Sequence, residues 1–212
     1  MVRRTKEEAE QTRDQILDAT EALFYERGVA HTSLEQIARA AGVTRGAVYW
    51  HFRNKTELFE AMQQRTRLPQ EDVLEELAEN GSADPLETLR DSCKGALITI
   101  AQDEQRQRVC CILLHRCEYV EEMGEPGMRQ LRNKEHMIAL LIRIFETAQK
   151  LGTLSPRWTP LTAALGLHGL MHGLISDWVN GTIPHDLAEY GPVCVDGFFA
   201  SVVAAPAMAA TA

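Results

Sequence analysis

One stretch of the 212-residue chain concentrates side chains suited to gripping a polyanion. Thr44, Arg45, Gly46, Tyr49, Trp50 and His51 fall within eight residues, with Ser33 eleven residues earlier and Lys55 just beyond. Hydroxyl, imidazole, guanidinium and ammonium groups donate hydrogen bonds to phosphate, and an Arg can bond a guanine edge in two places. Gly46 has no side chain, so a base or phosphate can come close to the backbone. If Thr44 opens a helix, its N-terminal N–H groups and positive dipole end add to that attraction.

Other constellations carry weaker chemistry. His168 and His172 stand at i, i+4 and could share a metal ion, but two ligands fall short of the three or four a site needs. The five cysteines, Cys93, Cys110, Cys111, Cys117 and Cys194, are odd in number and contain no C-x-x-C pair. Neither a disulfide framework nor a zinc finger is expected, and no metal or other cofactor is implied. Cys110 and Cys117 lie about 10 Å apart along a helix, too far for a disulfide without unwinding. No G-x-S-x-G, phosphate loop, H-E-x-x-H or paired nucleophile and base is present, so an enzyme is not expected.

The elements that must position these residues read as helices throughout. Ile16, Leu17, Leu23 and Phe24 repeat at seven-residue spacing on one face of a first helix, which Gly28 closes. Ser33 with Gln36 reads as a capping box opening a short helix to Ala41. After the Gly42-Val43 turn, Thr44 caps a second short helix ending near Phe52. Ala38, Ala41 and Ala47 permit close helix crossing, and Ile37, Val43 and Val48 can bury between the helices, as a helix-turn-helix requires. Asn54 with Glu57 begins a long helix toward Asn80, with a kink or break expected at Pro69. Asp84-Pro85-Leu86-Glu87 starts another, and Glu118–Gly127 should break the chain. Gly152 and Pro156 stop the next helix; Thr159-Pro160 opens one that Gly181 and Pro184 end. A last helix begins near Asp186 or after Pro192. Val193–Val203 has strand propensity, but nothing nearby could pair with it, and the tail Ala204–Ala212 is expected to fray. The expectation is an all-α chain of about nine helices, divided at residues 1–55 and 56–212.

Composition agrees. Hydrophobic residues make up 45% and charged residues 25%, as in globular chains rather than disordered ones. No uncharged apolar run reaches the 18 or more residues of a membrane span, and Met1–Glu10 lacks the apolar core of a secretory signal. A soluble cytoplasmic protein with reduced cysteines is expected. The net charge is −8, which argues against indiscriminate nucleic-acid binding. Residues 1–60 nevertheless hold 9 Lys/Arg against 10 Asp/Glu, so the acidity lies mostly beyond them and a polyanion partner belongs to this segment.

The stretch Thr32–Phe52 closely resembles the DNA-binding domain of TetR-family transcriptional repressors. The likeness extends from Arg3-Arg4-Thr5-Lys6-Glu7-Glu8-Ala9 to Tyr49-Trp50-His51-Phe52 and Asn54-Lys55. Together with His115-Arg116-Cys117-Glu118-Tyr119, it is similar to the AcrR/TtgR/NalD branch, whose members repress multidrug efflux operons. The resemblance implies an N-terminal three-helix bundle with a helix-turn-helix, and a larger helical domain for ligand binding and dimerisation. It implies phosphate contacts from Thr44, Tyr49, His51 and Lys55, base-edge positions for Arg45 and Gly46, and a backbone contact through Ser33. Trp50 either touches DNA or packs on the first helix, and packing there is the alternative for Tyr49 as well.

The resemblance also places a pocket for a hydrophobic small-molecule inducer near Arg67, Ser92, Cys93 and Ala96. Cys110, Leu113, Leu114 and Cys117 stand at i, i+3, i+4 and i+7 on one helix face; Leu165, His168, Leu170, Met171, His172, Ile175 and Ser176 lie on a Gly-rich helix. Thioethers and thiols suit an adaptable apolar cavity, with His168, His172 and Ser176 to orient a ligand, although each residue could equally be core. The long helix from Lys55 would act as a lever, or Pro69 would simply divide it in two. A homodimer through the last two helices would match a palindromic operator in double-stranded DNA. A thiol- or metal-sensing regulator of the same fold remains the alternative.

Overall fold

The computed structural model describes residues 6–117 and 124–204. Ten α-helices are present among them: α1 (Lys6–Arg27), α2 (Leu34–Ala40), α3 (Arg45–His51), α4 (Lys55–Arg65), α5 (Pro69–Asn80), α6 (Pro85–Gln102), α7 (Glu104–Cys111), α8 (Gly124–Lys150), α9 (Pro160–Val179) and α10 (Leu187–Val202). A π-helical turn, Ile112–Arg116, continues α7. The described residues contain no strand, only an isolated antiparallel bridge between Leu154 and Val203. None of their helices is long and apolar enough to cross a membrane.

Local chemistry accounts for most of the helix starts. The Ser33 side chain accepts from the Gln36 N–H while the Gln36 side chain accepts from the Ser33 N–H, so two orphan donors of α2 are satisfied reciprocally. Thr44, Asn54, Asp84 and Thr159 each accept from the backbone N–H three residues on. Gly28 takes φ +84 as α1 closes, a conformation other residues rarely adopt.

The structure decides several points that the sequence left open. The expected break at Pro69 divides Lys55–Asn80 in two: α4 ends at Arg65, and Pro69 is the first residue of α5, where its missing N–H would be unpaired anyway. The helices are interrupted between Arg116 and Gly124, as expected, but Gly124, Pro126 and Gly127 already belong to the start of α8, where the N–H that Pro126 lacks would have no intrahelical partner; residues 118–123 lie outside the described ones. The last helix starts at Leu187 under the Asp186 cap and carries Pro192 within it, so strand propensity over Val193–Val203 yields to helix. Finally, the π-turn changes the winding before Cys117, which is extended (φ −95, ψ 91), so Cys110 and Cys117 do not share one continuous α-helical face.

The described residues fall into two compact units, one within Met1–Arg67 and Glu104–Gln130, the other within Leu68–Asp103 and Leu131–Ala212. The first thus takes in more chain than the expected division at residue 55. Its core joins Ile16, Leu17, Leu23 and Phe24 of α1 to Ile37, Val48, Leu58, Phe59 and Met62, and also to Val109, Ile112 and Cys117 of the later segment. The second unit buries Leu86, Leu89, Leu97 and Ile100 of α6, Ile144 and Phe145 of α8, and Val195, Phe199 and Val202 of α10. Helix α10 lies so close to α6 that a Cβ on Gly191 would sit 2.9 Å from Leu97 Cδ1.

Candidate nucleic-acid interface

Helix α3 is anchored by one face and offers the other. Val48 is fully buried in the core of the first unit, while Thr44, Arg45 and Gly46 are exposed. Tyr49 keeps 44% of its surface and Trp50 72%, a large exposure for apolar rings on a short helix. Of the two readings of Trp50, packing on the first helix is not what its exposure shows; its ring meets His51 edge-on at 4.5 Å.

Arg45 is already held in place. Its guanidinium donates to the Tyr49 hydroxyl at 3.3 Å and lies 5.4 Å from the ring centroid. The hydroxyl bond, and then the Tyr49 charge interaction, push the Arg45 pKa above its already high ordinary value. Contact with a ring limits the rotamers of a long side chain, and a guanidinium has further N–H donors beyond the one Tyr49 takes. The Thr44 oxygen accepts from the Ala47 N–H at 3.1 Å, a bond that leaves the hydroxyl proton available to an acceptor. Around Gly46, a Cβ would meet only Thr44 Oγ1, at 3.9 Å.

Lys55 opens α4. Its ammonium donates to backbone carbonyls of Val29, Ala30 and Thr32. Ser33 caps α2 and is exposed at the start of that helix.

The candidate ligand residues divide between the units. In the first, Arg67 and Cys110 are half-buried, Leu114 is half-buried on the π-turn, and Leu113 and Cys117 pack in the core beneath α1–α4. In the second, Cys93 and Ala96 are buried on α6 beside half-buried Ser92. On α9, His168, Leu170, Met171, Ile175 and Ser176 are half-buried, and Leu165 and His172 are exposed. The rings of His168 and His172 stack at 6.1 Å. Burial, then the charges of Lys134 and His172, lower the His168 pKa. No cluster of three or more metal-ligating side chains occurs among the described residues. All five cysteines are free, and burial pushes the Cys93 thiol up to about 12 and Cys117 to about 11.

Sequence reasoning missed a buried ion pair. Glu21, 5% exposed, accepts from Arg108 Nε at 2.7 Å and from Gln105 Nε2 at 2.9 Å, tying α7 to α1. Leu17, Glu21 and Phe24 stand at i, i+4 and i+7, so an acid on the apolar stripe of α1 was the available signal.

Comparison with known proteins decides the family. Residues 16–62 match the model of bacterial regulatory proteins of the tetR family, and residues 84–203 match the C-terminal region of MAATS-type transcriptional repressors. The chain belongs to the TetR family of transcriptional regulators. It is 40% identical to the HTH-type transcriptional repressor BepR of Brucella suis, over 90% of this chain and 91% of that one. The crystal structure of NalD, the secondary repressor of the MexAB-OprM multidrug efflux pump in Pseudomonas aeruginosa, superposes with a TM-score of 0.83 at 42% identity, covering 93% of this chain and 98% of that one. A SmeT–triclosan complex gives a TM-score of 0.76 at 33% identity, covering 91% and 92%. The helix-turn-helix of α2 and α3 is thus the DNA-binding element of a family of regulators, not part of an enzyme.

Proposed function

We propose that this TetR-family protein is a dimeric repressor of a multidrug efflux operon, released from its operator by hydrophobic small molecules. The observation that carries the reading is the α3 surface: Arg45 preset against Tyr49, with Trp50 and the Thr44 hydroxyl alongside, on a helix pinned by Val48. In this reading Arg45 and Gly46 face base edges, Trp50 supplies apolar contact, and Ser33, Thr44, Tyr49 and His51 meet phosphates. The efflux assignment is supported by NalD and SmeT, and the inducer class by the triclosan bound to SmeT.

The inducer is proposed to meet Ser92, Cys93, Ala96, His168, Met171, His172 and Ser176 in the second unit. Leu113 and Cys117 support the DNA-binding unit in this reading, since they pack in its core. A second copy of the chain is proposed to cover α9 and α10. Leu161, Leu165 and Val193 are exposed there, and a Cβ added to Gly169, Gly173 or Gly197 would meet no other described residue within 4 Å. Two copies would present α3 to successive major grooves, about 34–36 Å apart.

Footprinting on the DNA flanking the gene, with and without a panel of apolar compounds, tests this. A symmetric protected site lost on adding such a compound is expected. Protection that survives replacement of both Arg45 and Tyr49 by Ala would sink the reading.

A further inference from the structure

Arg45 and Tyr49 stand one turn apart on α3, at i and i+4, where helix geometry brings side chains together. Their contact uses both parts of the phenol. The guanidinium donates through Nη2 to the Tyr49 hydroxyl at 3.3 Å, and its Cζ lies 5.4 Å from the ring centroid. A guanidinium has five N–H donors in a planar fork, and the hydroxyl takes one of them. A phenol oxygen that accepts a bond keeps its own O–H to donate. The chemistry of the partner matters as much as its position. Glu35 of α2 interacts with Arg45 through charge and stands 3.8 Å from Arg39. A carboxylate bonded to Arg45 would neutralise it and compete with DNA for its fork. A phenol, uncharged at neutral pH, holds the guanidinium and leaves its charge intact. Both side chains are exposed, so their mutual contact is what restrains them. A long side chain already held loses less rotamer entropy when it binds.

We propose that Tyr49 is a specificity-determining positioning residue: its hydroxyl and ring hold the Arg45 guanidinium in the pose that reads a base edge, while the hydroxyl proton goes to a phosphate oxygen of the same half-site. This rests on the reading that α3 grips an operator. One phenol thereby joins a contact that sets register along the backbone to a contact that reads sequence. Guanine suits the remaining donors, since its O6 and N7 accept side by side from one guanidinium. Holding the fork still makes any base whose acceptors lie elsewhere a poorer partner, which turns affinity into discrimination.

Base-pair discrimination separates positioning from a phosphate contact alone. Affinity of the full-length protein is measured by anisotropy at one fixed salt concentration, for the operator and for duplexes carrying each symmetric base-pair change. The proteins are the wild type, Arg45→Ala, Tyr49→Phe and the double variant. A bidentate contact discriminates by about tenfold or more, and Arg45→Ala identifies its base pair as the one where discrimination is lost. Tyr49→Phe keeps the ring, removes only the hydroxyl and, being exposed, leaves the core of its unit untouched. It is expected to lower discrimination at that base pair about fivefold per half-site and to leave the other base pairs unchanged. In the double variant it should have no further effect on discrimination, because the group it positions is gone. NMR relaxation of the Arg45 Nε–Hε group in the DNA-free proteins should show a more mobile side chain in Tyr49→Phe than in the wild type.

If Tyr49→Phe weakens every duplex by the same factor, with discrimination intact, the hydroxyl is a phosphate contact only and the proposal is overturned. Arg45→Ala with discrimination intact at every base pair overturns it as well, since there is then no base contact to position. So does equal Arg45 mobility in the wild type and Tyr49→Phe. Failure of the underlying reading looks different: the wild type then protects no DNA site at all. That outcome removes the proposal too, while the relaxation data still report whether the hydroxyl holds Arg45.

Discussion

Replacing Arg108 with Met should destabilise the α1–α7 contact more than replacing Glu21 with Gln, although both changes break the same pair. Glu21 is 5% exposed and Arg108 40%. Removing Arg108 strands a carboxylate in the interior, for which losses of about 3–5 kcal/mol are typical of fully buried pairs. The exposure of Arg108 means water already screens part of this bond, so about 2 kcal/mol is the working figure. Glu21→Gln keeps an amide oxygen for Gln105, and Arg108 retains solvent and Glu104 at 3.7 Å. That loss should be about 1 kcal/mol. The double variant should cost less than the two together, with a coupling of about 1 kcal/mol. Because the chain has two units, global unfolding need not be two-state; native-state hydrogen exchange of α1 and α7 amides reads the local opening energy directly. Equal losses from the two single changes, or under about 0.5 kcal/mol from Arg108→Met, would refute the idea that an interior charge governs this contact.

Ser33→Ala removes one half of the α2 capping box and should lower stability by about 1 kcal/mol, read as faster exchange at the start of α2. Iodoacetamide at pH 8 should label exposed Cys194 quickly and leave Cys93 and Cys117 unmodified in the folded protein, since burial holds both thiols protonated; rapid labelling of Cys93, checked by peptide mass, would contradict its packing. Those raised thiol pKa values also set an alkaline limit. Their contribution is full below the ordinary value of 9.0 and is lost as pH rises from there toward about 12 for Cys93, so Cys93→Ala should flatten the stability decline above pH 9.0 in a urea titration. His168 acts at the other end. Its pKa is lowered, so its contribution is present above the ordinary value of 6.5 and is lost as pH falls through the folded value, and His168→Gln should reduce the acid sensitivity of the second unit.

Which features could be read from the chain follows from the range of the forces that make them. Caps at Ser33, Thr44, Asn54, Asp84 and Thr159 are bonds to a backbone N–H three residues away, so residue type and spacing announce them. The exposed set on α3 was legible for a related reason: Val48 is the apolar residue that pins the seven-residue helix, and the polar and aromatic residues around it, Arg45, Tyr49 and Trp50, stay exposed. Breaks set by packing gave no such sign. Nothing in the residue types around Asp103 separates α6 from α7, and the π-turn at Ile112–Arg116 occurs in a run with good helical spacing. The bonds that tie the first unit together are remoter still: Arg108 reaches Glu21 across 87 positions, and Lys55 reaches Val29 across 26. The sequence neighbours of Lys55 give no sign of the carbonyls it reaches. Its carbonyl partners come into range only after α1 has ended at Gly28 and the chain has turned back, so these three bonds are a property of the tertiary fold that no local pattern encodes.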